Sequence, residues 1–113
     1  MDYKQIVNDL AQQVFDAIAP RVTPEDLERV RQAYLLAKEA HAPQRRKSGE
    51  PYILHPIAVA LIVAKELQLD ANTIITAFLH DVVEDTPYTV EDIRQRFGND
   101  VAGLVNVVTK QKK

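Results

Sequence analysis

Apolar residues fall at helical intervals through most of the chain, and prolines cut that pattern into lengths that suit single helices. Ile6, Val7, Leu10, Val14 and Ile18 recur at three- and four-residue steps, which predicts a first helix from Asp2 to Ala19. Pro20 ends it, because proline has no N–H to donate and its ring crowds the preceding turn. Thr23-Pro24-Glu25-Asp26 has the form of a helix start: a capping hydroxyl, a proline suited to the first helical position, and two acids that complement the positive end of the dipole. Leu27, Val30, Tyr34, Leu35 and Ala37 carry this second helix to Ala40. A third is expected from Pro56 to Leu67. Its residues Ile57, Val59, Ala60, Ile62 and Val63 are apolar on most sides, which predicts a central position. Asp70 can cap a fourth, which runs to Asp85 and stops at Thr86-Pro87. Thr89 starts a fifth, closed by Gly98, and a sixth follows from Asp100 to Thr109. The β-branched run VNVVT in that last segment also suits a strand. The expected fold is an all-α bundle of five or six helices, and 113 residues fit one domain.

Composition narrows the chemistry. The net charge of -2 gives no general attraction to nucleic acid or to a membrane surface, so an anion site must be local. The absence of cysteine excludes disulfides and thiolate metal sites. A metal would need His and carboxylate ligands, which suit divalent ions such as Mn or Zn. The N-terminal MDYKQIVNDL lacks the long apolar core of a signal peptide, and IAVALIVA is too short to span a membrane. These features are those of a cytoplasmic protein.

The stretch HDVVED, His80 to Asp85, follows the apolar run NTIITAFL. On a helix at about 100° per residue, His80, Glu84, Asp81 and Asp85 share less than half the circumference. One turn earlier, the same arc holds Ile74, Ala77 and Phe78. One helix face therefore changes from apolar to acidic, as it would where a helix leaves the core and lines a cleft. Three acids in the last two turns also oppose the helix dipole unless a cation offsets them. The pattern suits a metal site, with His80 and Asp81 as ligands and Glu84 and Asp85 near its water. An exposed acidic helix end is the alternative.

The segment His41 to Pro56 has no helical period and reads as an ordered loop. Gln44-Arg45-Arg46-Lys47-Ser48-Gly49 places three cations, a hydroxyl and a glycine together, a combination suited to phosphate oxygens, with a solvated surface loop as the alternative. His55 follows and offers a third metal-competent group beside the His80-Asp81 pair. His41, at a helix C-terminus, is favoured there by the dipole and is given no catalytic role.

Two long motifs, AHAPQRRKSGEPYILHPIAVA and AFLHDVVEDT, occur in this order, and DIRQRFGNDVAGLVNVVTK follows. From about Leu27 to Lys110 the chain resembles the hydrolase domain of the RelA/SpoT homologues, proteins that make and degrade the guanosine alarmones (p)ppGpp. That domain belongs to the HD-domain superfamily of metal phosphohydrolases. The resemblance implies an HD-like helical bundle. It implies metal ligands at His55, His80 and Asp81, with Mn²⁺ as the usual ion. It implies an acidic pair, Glu84 and Asp85, that orients or activates water, and substrate contacts from Arg46, Lys47 and Ser48. The reaction implied is removal of the 3′-pyrophosphate of ppGpp or pppGpp. Members complete the metal shell with an aspartate from a later ADRLHN-like segment. This chain has none, and neither Asp92 nor Asp100 takes that place. The expectation is therefore a piece of such a domain, incomplete towards its C-terminus. Apolar surface left uncovered would favour self-association. The alternative function is a catalytically incompetent nucleotide-binding or interaction module of the same fold.

Overall fold

A computed structural model describes residues 3–44, 49–67 and 70–111. Six α-helices run through them: α1 Tyr3–Ile18, α2 Pro24–Ala40, α3 Leu54–Ile62, α4 Ala71–Asp85, α5 Val90–Phe97 and α6 Asn99–Gln111. A short 3₁₀ turn, Ala19–Arg21, follows α1, and a π turn, Val63–Leu67, follows α3. VNVVT lies inside α6 and is helical, so burial of Val101 and Val105 on one face outweighs the β preference of its branched residues.

Short-range chemistry sets the helix starts. The Thr23 hydroxyl accepts from the Asp26 N–H at 3.1 Å, with Pro24 in the first turn. Asp70 accepts from the Thr73 N–H at 3.0 Å and the Thr73 hydroxyl at 2.8 Å. Thr89 and Asp92 form a reciprocal capping box, with bonds of 3.2 and 2.9 Å. Gly98 ends α5 at φ 97°, a conformation that strains any residue bearing a Cβ.

α3 begins two residues earlier than the proline suggests. Pro56 sits in its first turn, where a missing N–H costs nothing because those N–H groups lack helical partners anyway. His55 is thereby fixed on a helix. The centre of the bundle is α4, not α3. α4 packs against α2, α3 and α6, and Ile74, Ile75, Phe78, Leu79 and Val82 are fully buried. α3 turns Ala58 and Ile62 to solvent, and Ile62 is 57% exposed. Its uninterrupted apolar character overstated how many neighbours it has.

α1 packs on α3 and α2, and α5 packs on α6. The Tyr34 ring lies between Phe15 and Phe78, at centroid distances of 5.8 and 5.9 Å. Ala33 and Ala37 are fully buried on the same helix, and their small side chains let α2 approach its neighbours closely. Arg29 donates to the Phe97 carbonyl at 3.2 Å, satisfying an orphan acceptor at the end of α5. Leu104 and Val107, three residues apart on α6, are exposed.

Two consequences can be measured. Phe78→Ala is expected to lower stability in urea unfolding by about 3–5 kcal/mol, and Thr89→Ala by about 1 kcal/mol. The hydroxyl and amide of Thr73 hold the Asp70 carboxyl below its ordinary range. Its contribution is therefore present above the ordinary aspartate range, near pH 4, and is lost as pH falls through its lowered folded value. Asp70→Asn should flatten this acid limb of the stability curve.

Candidate metal and catalytic site

The site forms where the last turns of α4 meet the start of α3. The arc of α4 that holds the acids is buried above and open below. Ile74, Ala77 and Phe78 are buried, His80 is nearly so, and Glu84 and Asp85 are exposed. Asp81 is 1% exposed, a carboxylate sunk into the helix packing. Burying such a charge is costly unless it is paired.

Both candidate ligand histidines point at it. His80 Nε2 lies 3.2 Å from Asp81 Oδ1, and His55 Nε2 lies 3.7 Å from Asp81 Oδ2. The other nitrogen of His80 is 3.0 Å from the Ala77 carbonyl oxygen. A carbonyl can only accept, so Nδ1 carries the hydrogen and donates. In the neutral ring, Nε2 then presents a lone pair to a carboxylate oxygen. Two acceptors at that distance repel unless a proton or a metal cation lies between them. A carbonyl-oriented imidazole with its far nitrogen bare is also the usual arrangement around a protein-bound metal.

The donor set of two imidazoles and one carboxylate fits a divalent ion in type. Donors that share one ion lie about 3 Å apart, which the His80–Asp81 pair matches and the His55–Asp81 pair slightly exceeds. Among the described residues, no three His, Asp or Glu side chains stand as a finished metal cage.

Tyr52 is a residue that no local pattern singles out. Its O–H lies 3.2 Å from Asp81 Oδ2 and 3.1 Å from Asp85 Oδ2, so one phenol joins the buried acid to an exposed one. Burial, the charge of Asp81 and the hydrogen bond to Asp85 all push its ionisation upward, so it stays a donor at neutral pH. The available signal was spacing, since Tyr52 stands three residues before His55. The rings meet edge-on at 6.1 Å.

Behind Tyr52, His41 lies against its ring at 4.7 Å. His41 Nδ1 pairs with Gln44 Oε1 at 2.7 Å, and Gln44 Nε2 donates to the Asp85 carbonyl at 2.7 Å. The Tyr52 N–H donates to the Gln44 carbonyl at 3.3 Å. Arg46, Lys47 and Ser48 lie outside the described residues, but Gln44 and Tyr52 on either side of them are both bonded to Asp85.

A family model described as an HD domain matches residues 33–113. This chain belongs to the HD-domain family. It is 57% identical over 91 residues to the bifunctional (p)ppGpp synthase/hydrolase SpoT of Escherichia coli (strain K12), covering 80% of this chain and 13% of that one. It is 55% identical over 87 residues to the guanosine-3′,5′-bis(diphosphate) 3′-pyrophosphohydrolase of Aquifex aeolicus, covering 77% of this chain and 12% of the relative. The chain thus spans about an eighth of the length of these relatives. Among solved structures it is similar to a metazoan ortholog of SpoT that hydrolyses ppGpp. The TM-score is 0.69 and the identity 39%, over 72% of this chain and 47% of that one. The all-α HD-type bundle expected from the sequence is the observed fold.

If His80, His55 and Asp81 share a cation, calorimetry should detect Mn²⁺ or Zn²⁺ binding that His80→Ala removes. Tyr52→Phe should weaken it by about ten-fold through loss of the hydrogen bond that orients Asp81. Unchanged affinity in His80→Ala would dismiss this ligand set.

Proposed function

We propose that a protein holding this chain is a divalent-metal phosphohydrolase that removes the 3′-pyrophosphate of (p)ppGpp, giving GDP or GTP and pyrophosphate. The observation that carries the reading is the convergence of two imidazole Nε2 atoms on the buried Asp81 carboxylate. Its support is the similarity to relatives whose names state that hydrolysis.

In this reading His55, His80 and Asp81 hold the ion, Mn²⁺ before other divalent metals. When bound, such a cation lowers the pKa of a water and offsets charge on the phosphate under attack. Glu84 and Asp85, the next turn of α4 outward, orient that water and take its proton. The Tyr52 O–H keeps Asp85 within the same hydrogen-bonded group as Asp81. Arg46, Lys47 and Ser48 bind the substrate's phosphates, and their flanking residues are tied to Asp85. The protein acts in the cytoplasm.

A second reading has its own observation. The described residues hold no finished metal cage, which suits a module that keeps the nucleotide pocket without turnover.

Pyrophosphate release from ppGpp with Mn²⁺ separates the two. The hydrolase reading expects release that His80→Ala abolishes. Glu84→Gln or Asp85→Asn should slow it by roughly 10²–10⁴-fold while Mn²⁺ binding persists. Tight, metal-independent nucleotide binding without release would establish the module instead.

A further inference from the structure

The last residue of α4 is held at two points by one short segment of the chain. Asp85 receives the Tyr52 O–H at its carboxylate, 3.1 Å away, and the Gln44 Nε2–H at its backbone carbonyl, 2.7 Å away. Helix ends fray because their last carbonyls lack helical partners. Asp85 is exposed, so the direction of its carboxylate depends on these two bonds.

We propose that His41 is a positioning residue for Asp85 and that it acts through Gln44. An amide side chain can present either its oxygen or its nitrogen. The Asp85 carbonyl only accepts, so Gln44 turns Nε2 toward it, and Oε1 then faces His41 Nδ1 at 2.7 Å. That nitrogen therefore carries a hydrogen and donates. An acceptor in its place would favour the flipped amide, which sets two oxygens against each other at the end of α4.

His41 can fix Gln44 because it is itself fixed. It is 1% exposed, and its backbone N–H donates to the Ala37 carbonyl at 2.9 Å at the end of α2. The Gln44 N–H donates to the His41 carbonyl at 2.8 Å, a turn that brings the two side chains together. The other ring nitrogen, Nε2, is buried and has no hydrogen-bond partner among the described residues. A buried polar atom without a partner is unfavourable. A phenylalanine would lie against the Tyr52 ring without that cost, so packing alone does not account for a histidine. What the histidine adds is the Nδ1–H given to Gln44.

The catalytic meaning of this role rests on the hydrolase reading above, in which Asp85 handles the water. The positioning itself is measured without turnover. His41→Phe keeps a ring against Tyr52 and removes the donor, whereas His41→Asn loses the ring and returns an N–H near the place of Nδ1. A donor role and a packing role therefore rank these two variants in opposite order. In NMR of the isotope-labelled 113-residue chain, His41→Phe should shift the Gln44 side-chain amide and the Asp85 carbonyl and carboxyl resonances. His41→Asn should bring them back toward their original positions. Gln44 is only partly buried, so Gln44→Leu reads the same link without touching the core, and it should shift the Asp85 resonances as His41→Phe does. In pyrophosphate release from ppGpp, His41→Phe should lower kcat by about ten-fold or more, with KM and Mn²⁺ affinity within about two-fold. H41F/Q44L should be no slower than Gln44→Leu alone, because the two residues act as one unit. Asp85 resonances that stay in place in Gln44→Leu, a larger disturbance in His41→Asn than in His41→Phe, or additive losses in the double variant would each overturn the proposal. If the unaltered protein releases no pyrophosphate, the hydrolase reading falls, and the Asp85 resonances still decide whether His41 positions that residue.

Discussion

A carboxylate with almost no access to water sets the terms for one end of this molecule. Asp81 sits on the most buried helix, two residues past the apolar run Ala77-Phe78-Leu79. Left alone there it would oppose folding. The structure answers with groups from two elements: His80 on α4 itself, and Tyr52 and His55 at the entry to α3. α3 cannot then slide along α4 without separating these groups from the acid. The site and the α3–α4 packing are thus one arrangement, and the unusual placement of Pro56 within the first turn of α3 helps fix His55 within reach.

The helices were legible because their ends are written locally. Thr23, Asp70 and Thr89 each cap through an atom within three residues, so the sequence alone carries the signal. The face change along α4 was legible for the same reason, since helical period places His80, Asp81, Glu84 and Asp85 without reference to anything else. The rank of α3 and α4 in the core was not. Ile62 has the same apolar side chain whether or not a neighbour covers it, and only the packing decides that none of the described elements does so fully.

The bonds of Tyr52 and Gln44 to α4 are invisible in the sequence because their partners lie 29 to 41 residues away. A phenol between a proline and an isoleucine looks like a packing residue. Its task becomes visible only when α4 brings two acids to its hydroxyl. His41 was read as a favourable charge at a helix end. Its burial against the Tyr52 ring places it instead behind the phenol that bonds Asp81 and Asp85.

The bond from the Tyr52 N–H to the Gln44 carbonyl holds together the two residues that flank the basic segment. Both feet of that segment stand beside Asp85, so what lies between them can change in length or composition while the feet stay put. Homologous chains can therefore exchange residues between these two feet without disturbing Asp85. The two ends are held to each other by one backbone hydrogen bond, and each is held separately to Asp85.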